Sequence, residues 1–155
     1  MDVMLAYDHS RNSRIAISIV KSMFAKEMPE ITLISVIEEP GSTSDSGDEL
    51  FRQQYNEQKA GTEMAAAELA EAGFKTKILV AHGDARKMIL RAVEERRPDM
   101  LVIARHSHKP DGNIISRSLD ALVDEFDHMT FGSVSAFLAR RAQVPLLIIP
   151  THTDD

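Results

Sequence analysis

Residues 100–104 read MLVIA, and residues 132–135, further along the chain, read GSVS. The first stretch predicts a buried strand, and the second predicts the start of a helix. A strand, a loop and a helix start made of small residues commonly form an anion site in α/β proteins. The reason is that orphan backbone N–H groups and the helix dipole both point out of that end. We therefore expect any ligand of this protein to bind here.

Four further apolar runs alternate with helical patterns. Their apolar and β-branched residues are mostly continuous, which is typical of strands buried on both faces of a parallel sheet. Strands are predicted at residues 2–7, 31–37, 75–81, 99–104 and 144–150, and helices at residues 11–28, 48–72, 85–97 and 132–142. Five strands alternating with four main helices predict a single-domain α/β fold, in which a doubly wound parallel sheet has helices on both faces.

Local signals mark the ends and the inward faces of these helices. Ser10 and Asp84 are predicted N-caps of the first and third helices, and Gly73 is predicted to close the second. The apolar residues expected to face inward are Ile15, Ile19, Met23 and Phe24 in the first helix and Ile89, Leu90 and Val93 in the third.

Composition argues against several classes of function. The 155 residues include no cysteine, so neither a disulfide framework nor thiol catalysis is available. A formal charge of −6 argues against general affinity for nucleic acid, which rests on many Lys and Arg contacts to phosphate. The amino-terminal residues lack the pattern of a signal peptide, and no apolar run reaches the roughly 20 residues of a membrane span. We expect a cytoplasmic protein with neither nucleic acid nor membrane as a partner.

The expected ligand site lies at the carboxyl ends of the strands. Open parallel sheets bind ligands where the strand order reverses, and in a sheet of order 3-2-1-4-5 that point falls between strands one and four. Asp8 then lies beside Ala104 and Arg105, and Ser133 faces the same crevice. Two roles are open to the Asp8 carboxylate: accepting hydrogen bonds from a ribose or a base edge, or capping the following helix together with Ser10.

Several short motifs, in their order and spacing, together resemble the universal stress protein family. They are Asp8 after the first strand, Val36 in the second, Gly83-Asp84 before a helix, the strand Leu101-Val102-Ile103, and Gly132-Ser133-Val134-Ser135 leading to Pro145-Leu146-Leu147-Ile148-Ile149. The resemblance covers a domain of residues 1–150 and leaves residues 151–155 as a tail. It implies the 3-2-1-4-5 sheet of the adenine nucleotide α-hydrolase-like fold, and a homodimer formed through the last strand, residues 144–149.

The resemblance also implies an adenine-nucleotide site. In nucleotide-binding members of that family, the first-strand Asp and the backbone near the second-strand Val hold the adenosine, and a Gly-x2-Gly-x9-Gly-Ser/Thr pattern binds the phosphates. ATP or AMP is then the expected ligand, with magnesium arriving only together with the nucleotide. The residues expected to form the site are Ala6, Tyr7, Asp8, Val36, Ile103, Ala104, Arg105, Ser107, Gly132, Ser133 and Val134.

The phosphate half of that pattern is altered in this chain. Ala104 and Ser107 stand in the places of the first two glycines, and residues 108–131 separate Ser107 from Gly132 where the family pattern has nine residues. Glycine permits a positive φ and lets backbone N–H groups approach an anion, so its replacement matters most where the turn is left-handed. Arg105 and Lys109 are the candidates to replace the lost amides.

The insertion, about residues 108–131, has a helical pattern of its own. Ile115, Leu119, Leu122 and Phe126 recur at helical spacing, which predicts an amphipathic helix over about residues 113–127. Its apolar stripe must pack on the parent domain, on a second subunit or on an outside partner, and the sequence leaves that choice open. Over the predicted crevice, the helix is either a lid that closes on bound nucleotide or a plug that fills the site.

Catalysis and metal binding find little support in the sequence. It has neither a Gly-x4-Gly-Lys-Ser/Thr loop nor a Gly-x-Ser-x-Gly elbow. His106, His108 and His128 flank the insertion but lack the fixed spacings of zinc motifs, so no metal site is expected. We expect binding without efficient catalysis, and slow ATP hydrolysis stays open.

Two functions fit these features. The first is a universal-stress-type regulatory homodimer that binds an adenine nucleotide in a stress response and thereby changes its dimer surface or its choice of an unidentified protein partner. The second is a dimeric protein-interaction module that binds no nucleotide, because the inserted helix fills the site.

Overall fold

The computed structural model describes residues 1–38, 45–105 and 133–150. These residues form five strands and four helices. In chain order they are β1 (Asp2–Ala6), α1 (Arg11–Met23), β2 (Glu30–Ile37), α2 (Asp45–Glu71), β3 (Thr76–His82), α3 (Ala85–Arg96), β4 (Met100–Ala104), α4 (Ser133–Arg141) and β5 (Leu146–Ile149). The helix predicted over residues 113–127 lies outside the described residues.

The five strands form one parallel sheet in the order β3-β2-β1-β4-β5. This confirms the predicted order and direction of the strands. Leu5 in the central strand β1 pairs with Leu33 of β2 on one side and with Val102 of β4 on the other. The order therefore reverses between β1 and β4, and the carboxyl ends of these two strands lie side by side.

Helices cover both faces of the sheet, because alternate residues of each inner strand face opposite cores. One core joins Val3 and Leu5 to Ile17 of α1 and Leu69 of α2. The other joins Met4 and Ile34 to Val93 of α3 and Leu138 of α4. Two-sided burial explains why the inner strands read as unbroken apolar runs, and it confirms the doubly wound architecture.

The inward face predicted for α1 is wrong in part. The buried side chains are Ser13, Ala16, Ile17 and Val20, followed by Phe24 just after the helix, whereas Met23 is 53 % exposed. Residues 15–20 are apolar at five of six positions, so two overlapping apolar stripes fit the 3.6-residue period of the helix. The stripe with the smaller side chains packs on the sheet, and Ile15 and Ile19 lie half-buried beside it.

Helix α1 also ends earlier than predicted. The helix ends at Met23, well before Pro29, and Met28 has a φ of +44°. Phe24, with φ −103° and ψ 17°, already leaves the helical conformation, so the helix ends before the proline can restrict the residue that precedes it.

Both predicted N-caps are confirmed. The Ser10 side chain accepts a hydrogen bond from the backbone N–H of Ser13 at 3.2 Å, and Asp84 accepts one from Lys87 at 3.2 Å. Gly73 follows α2 with a φ of +96°, a conformation that favours glycine, so its predicted role at the helix end is confirmed as well.

Candidate functional site

A cavity opens at the carboxyl ends of β1 and β4, where the strand order reverses. It encloses about 440 Å³ of empty space, solvent at its mouth included. The lining residues are Ala6, Tyr7, Asp8, Ser13, Ile34, Val36, Ala85, Ile89, Ile103, Ala104 and Val134.

The fold brings most of the predicted site residues to this one cavity. Those that line it are Ala6, Tyr7, Asp8, Val36, Ile103, Ala104 and Val134. Arg105 follows β4 and Ser133 begins α4, so each is adjacent in sequence to a lining residue without lining the cavity itself. Ser107 and Gly132 lie outside the described residues.

Four lining residues were missed at the sequence level. Ser13, Ile34, Ala85 and Ile89 complete the cavity wall. A periodicity signal was available for three of them: Ile34 is two residues before Val36 on the same strand face, and Ala85 and Ile89 are four apart on one helix face. Ser13 had a capping signal instead. It is the third residue after the N-cap Ser10, a position that lies in the first turn of the helix.

Asp8 both borders the cavity and holds the start of α1. One of its carboxylate oxygens accepts a hydrogen bond from the backbone N–H of Ser10 at 3.0 Å and another from the hydroxyl of Ser13. The backbone N–H of Asp8 donates in turn to the Ser13 hydroxyl at 3.2 Å. Ser13 is buried, so these bonds fix the β1–α1 turn against the cavity wall. The two roles predicted for Asp8 are compatible in this geometry.

The first turn of α3 is positioned by Gly83 and Asp84. Gly83 has a φ of +131°, and its N–H donates to the carbonyl of Ile37 at 2.9 Å, which ties the β3–α3 turn to the end of β2. Ala85 is thereby placed in the cavity wall with Val36. Hydrogen bonds from the Arg86 side chain and from the Lys87 backbone hold the pKa of Asp84 below 3.8, so this cap is ionised at neutral pH.

Ala104 fits the end of β4 without strain. It pairs with Ile149 as part of the sheet, and it is not among the described residues with a positive φ. The side chain of Asn12 donates to the carbonyl of the next residue, Arg105, at 3.3 Å. The methyl group at position 104 is therefore accommodated by extended backbone, and α1 is tied directly to the end of β4.

The cavity wall is apolar with one polar edge. Tyr7, Ile34, Ile89 and Ile103 are buried and form much of the wall, while Asp8 and Ser13 supply a carboxylate and a hydroxyl at one side. Such a cleft suits a flat ring system that presents hydrogen-bond donors along one edge. The start of α4 at Val134 adds helical N–H groups on the side of β4.

The described residues form neither a metal site nor a membrane-spanning helix. No three His, Asp or Glu side chains converge there in a way that holds a metal ion, and the three histidines considered above lie outside residues 1–38, 45–105 and 133–150. No helix in the described part of the chain has the length and apolar character to cross a membrane.

A parallel sheet in this order, with a cavity at its switch point, is the architecture of nucleotide-binding α/β proteins. The chain belongs to the universal stress protein family, whose sequence model matches residues 1–150. This confirms the resemblance stated above. No curated protein sequence matches the chain.

Solved structures with the same fold support the assignment. The hypothetical protein MJ0577 superposes with a TM-score of 0.79 at 21% identity, covering 99% of this chain and 97% of that one. A universal stress protein in complex with cAMP has a TM-score of 0.67 at 18% identity, covering 99% and 98%. A universal stress protein family protein from Arabidopsis thaliana with AMP bound has a TM-score of 0.65 at 22% identity, covering 100% and 94%. The chain thus has the adenine nucleotide α-hydrolase-like fold.

Proposed function

We propose that this protein binds an adenine nucleotide, ATP or AMP, in the cavity between β1 and β4, and that it acts in a stress response as a regulatory homodimer rather than an efficient enzyme. The observation that carries the proposal is the convergence of Asp8, Val36, Ala104 and Val134 on one pocket at the switch point of the sheet. These residues come from four separate elements or turns, and only the fold brings them together.

Relatives support the choice of ligand. Two solved structures of the same fold contain adenine nucleotides, one AMP and one cAMP. In this chain, Asp8 and the backbone around Val36 would hold the adenosine. The helical N–H groups at the start of α4 and the end of β4 would meet the phosphates, and magnesium would accompany the nucleotide.

Dimerisation through residues 144–149 is part of the proposal. β5 forms one edge of the five-stranded sheet, and its Leu146, Leu147 and Ile148 are only partly buried. An edge strand with partly exposed apolar side chains is a surface that pairing with a second copy would cover. We place the dimer in the cytoplasm with an unidentified protein partner, and with neither nucleic acid nor membrane as a ligand.

A second candidate function is a dimeric protein-interaction module that binds no nucleotide. Ala104 favours it, because its methyl group lines the cavity at the place of the first glycine in the family's phosphate pattern. In that case the inserted helix would fill the pocket.

One experiment separates the two functions. Freshly purified protein is denatured, the released small molecules are analysed by chromatography and mass spectrometry, and the apo protein is then titrated with ATP and with AMP by calorimetry. Near-stoichiometric nucleotide, or saturable heat of binding, supports the nucleotide switch. Neither nucleotide nor heat supports the interaction module. Incubation of the apo protein with ATP and magnesium, followed by assay for ADP and phosphate, measures any slow hydrolysis.

A further inference from the structure

A glycine interrupts the middle of the long helix α2. Glycine weakens a helix interior relative to alanine, so its place in α2 calls for a packing reason. A Cβ added at Gly61 would overlap the Cε1 and Nδ1 atoms of His9, closer than real Cβ atoms come to any neighbour. The imidazole of His9 therefore lies directly against the backbone of α2, and a side chain at position 61 would displace it.

His9 has an unusual backbone conformation. Its φ is +66°, in the left-handed region that residues with a Cβ rarely adopt. Such a conformation persists where the surroundings hold it in place. The His9 ring lies against Gly61, against the ring of Tyr7 at a centroid distance of 4.7 Å, and with its Nε2 at 3.3 Å from the hydroxyl of Thr62.

The hydrogen bonds around Thr62 determine the direction of the contact with His9. Thr62 is fully buried, and its hydroxyl donates to the carbonyl of Gln58 at 2.7 Å. A threonine hydroxyl has a single proton, so it accepts the bond from His9, and the proton of the neutral ring lies on Nε2. Burial of the ring lowers the pKa of His9 below 6.5, so the ring is neutral at pH 7. Of the charged groups near it, Asp8 raises this pKa and Arg14 lowers it.

The turn that His9 forms carries the cavity residues on both sides of it. Tyr7 and Asp8 precede it and line the cavity, and Ser10 follows it and caps α1. The bond from the Ser10 N–H to the Asp8 carboxylate spans His9, so it closes the turn around that left-handed residue. We infer that His9 is a positioning residue. Its ring packs on Gly61 and bonds to Thr62, and it thereby holds the β1–α1 turn so that Asp8 faces the cavity. This contact couples helix α2 to the site.

The consequence for nucleotide binding rests on the proposed function, whereas the effect on the turn does not. Three variants test the contact: Gly61→Ala, which pushes the ring away, His9→Gly, which removes the ring but tolerates the positive φ, and the double variant. Met64→Ala is the matched control, because Met64 is on the same helix close to Gly61 and is 74 % exposed. The measurements are amide hydrogen exchange of Asp8 and Ser10 in the apo protein, the melting temperature, and the Kd of AMP by calorimetry.

Gly61→Ala and His9→Gly should each speed exchange at the Asp8 and Ser10 amides by about tenfold or more, because the turn opens locally. AMP affinity should weaken by about tenfold in both, since Asp8 is no longer pre-organised. Gly61→Ala should lower the melting temperature of the wild type but raise that of His9→Gly, where the added methyl meets no ring and alanine favours the helix. Met64→Ala should change none of these quantities.

The outcomes separate the inference from the proposed function. If the wild type binds neither ATP nor AMP, the proposed function fails, and the exchange rates still decide whether His9 holds the turn. If both variants exchange at the wild-type rate at Asp8 and Ser10, the inference is overturned, even where the melting temperature falls. A Gly61→Ala substitution that lowers the melting temperature equally with and without His9 also overturns it. Wild-type AMP affinity in both variants overturns the coupling of α2 to the site.

Discussion

Asp8 combines a structural and a ligand-facing role in one carboxylate. Because it accepts bonds from Ser10 and Ser13 and borders the cavity, Asp8→Ala should weaken AMP binding by about tenfold or more and lower the free energy of unfolding by about 1 kcal/mol. Calorimetry and urea unfolding measure the two effects. Glu63→Ala is the control: it removes an exposed carboxylate from α2 and should alter neither AMP affinity nor the free energy of unfolding. If Asp8→Ala binds AMP with wild-type affinity, the ligand binds elsewhere.

His9 should make the protein less stable in mild acid. Burial lowers the pKa of His9 below 6.5 in the folded state, against the opposing influence of Asp8 and the Gln58 carbonyl and with the help of Arg14. In the unfolded chain His9 titrates near 6.5, so below that pH the unfolded state takes up a proton that the folded state resists. The free energy of unfolding should therefore fall as the pH drops below 6.5, until the lower folded pKa is passed.

Urea unfolding of the wild type and His9→Gly at pH 7.5, 6.5 and 5.5 measures this effect. The other histidines are common to both proteins, so the difference between the two stability curves isolates His9. The wild type should lose more stability than the variant on acidification. Parallel curves would mean that the ring is as accessible to protons when folded as when unfolded.

At the scale of elements, the start of α3 depends on one side chain. Asp84 caps the helix through the Lys87 N–H, so Asp84→Ala should lower the free energy of unfolding by about 1 kcal/mol at pH 7. The pKa of Asp84 is held below 3.8 by Arg86 and the Lys87 amide, so the stabilisation is present above that pH and is lost as the pH falls through the folded pKa. Thermal unfolding at pH 7 and pH 3 measures it, and the variant and the wild type should converge in acid.

The elements also separate what the sequence could predict from what it could not. The strands, the helices and both N-caps followed from patterns that depend on neighbouring residues, such as the apolar run of β1 and the Asp84 cap. The strand order and most of the cavity wall followed instead from the resemblance to the universal stress protein family. The inward face of α1 did not, because two apolar stripes overlap there and only packing against the sheet selects one. The left-handed His9 and its seat on Gly61 join residues far apart in the chain, and no local period encodes such a contact.

At the scale of the whole molecule, the edge strand β5 should carry the dimer contact. If it does, the wild type should elute with a mass about twice 17.3 kDa by light scattering, and Ile148→Lys should be a monomer, because a charge at the edge opposes pairing. Leu79→Lys is the matched control, because Leu79 is a partly buried residue of β3 at the opposite edge and packs against the same core as Ile148. Circular dichroism verifies that both variants are folded. A dimer that survives Ile148→Lys would place the interface on another surface.

Nucleotide binding should stabilise the whole domain, and the effect can be located in the cavity. A ligand that binds only the folded state at 100 times its Kd stabilises by about 2.7 kcal/mol, which for a chain of this size raises the melting temperature by roughly 5–10 °C. Ala104→Leu should abolish the shift, because Ala104 is buried and a longer side chain there occupies the space of the ligand.

Ala67→Leu adds the same bulk at an exposed position of α2 and should keep the full shift. The melting temperature without nucleotide is measured first, because a folded Ala104→Leu protein is required for the comparison. An equal shift in both variants would mean that the nucleotide binds away from the end of β4. Loss of the shift in Ala104→Leu alone would place the ligand at the point where the sheet reverses its order, beside the turn that carries Asp8.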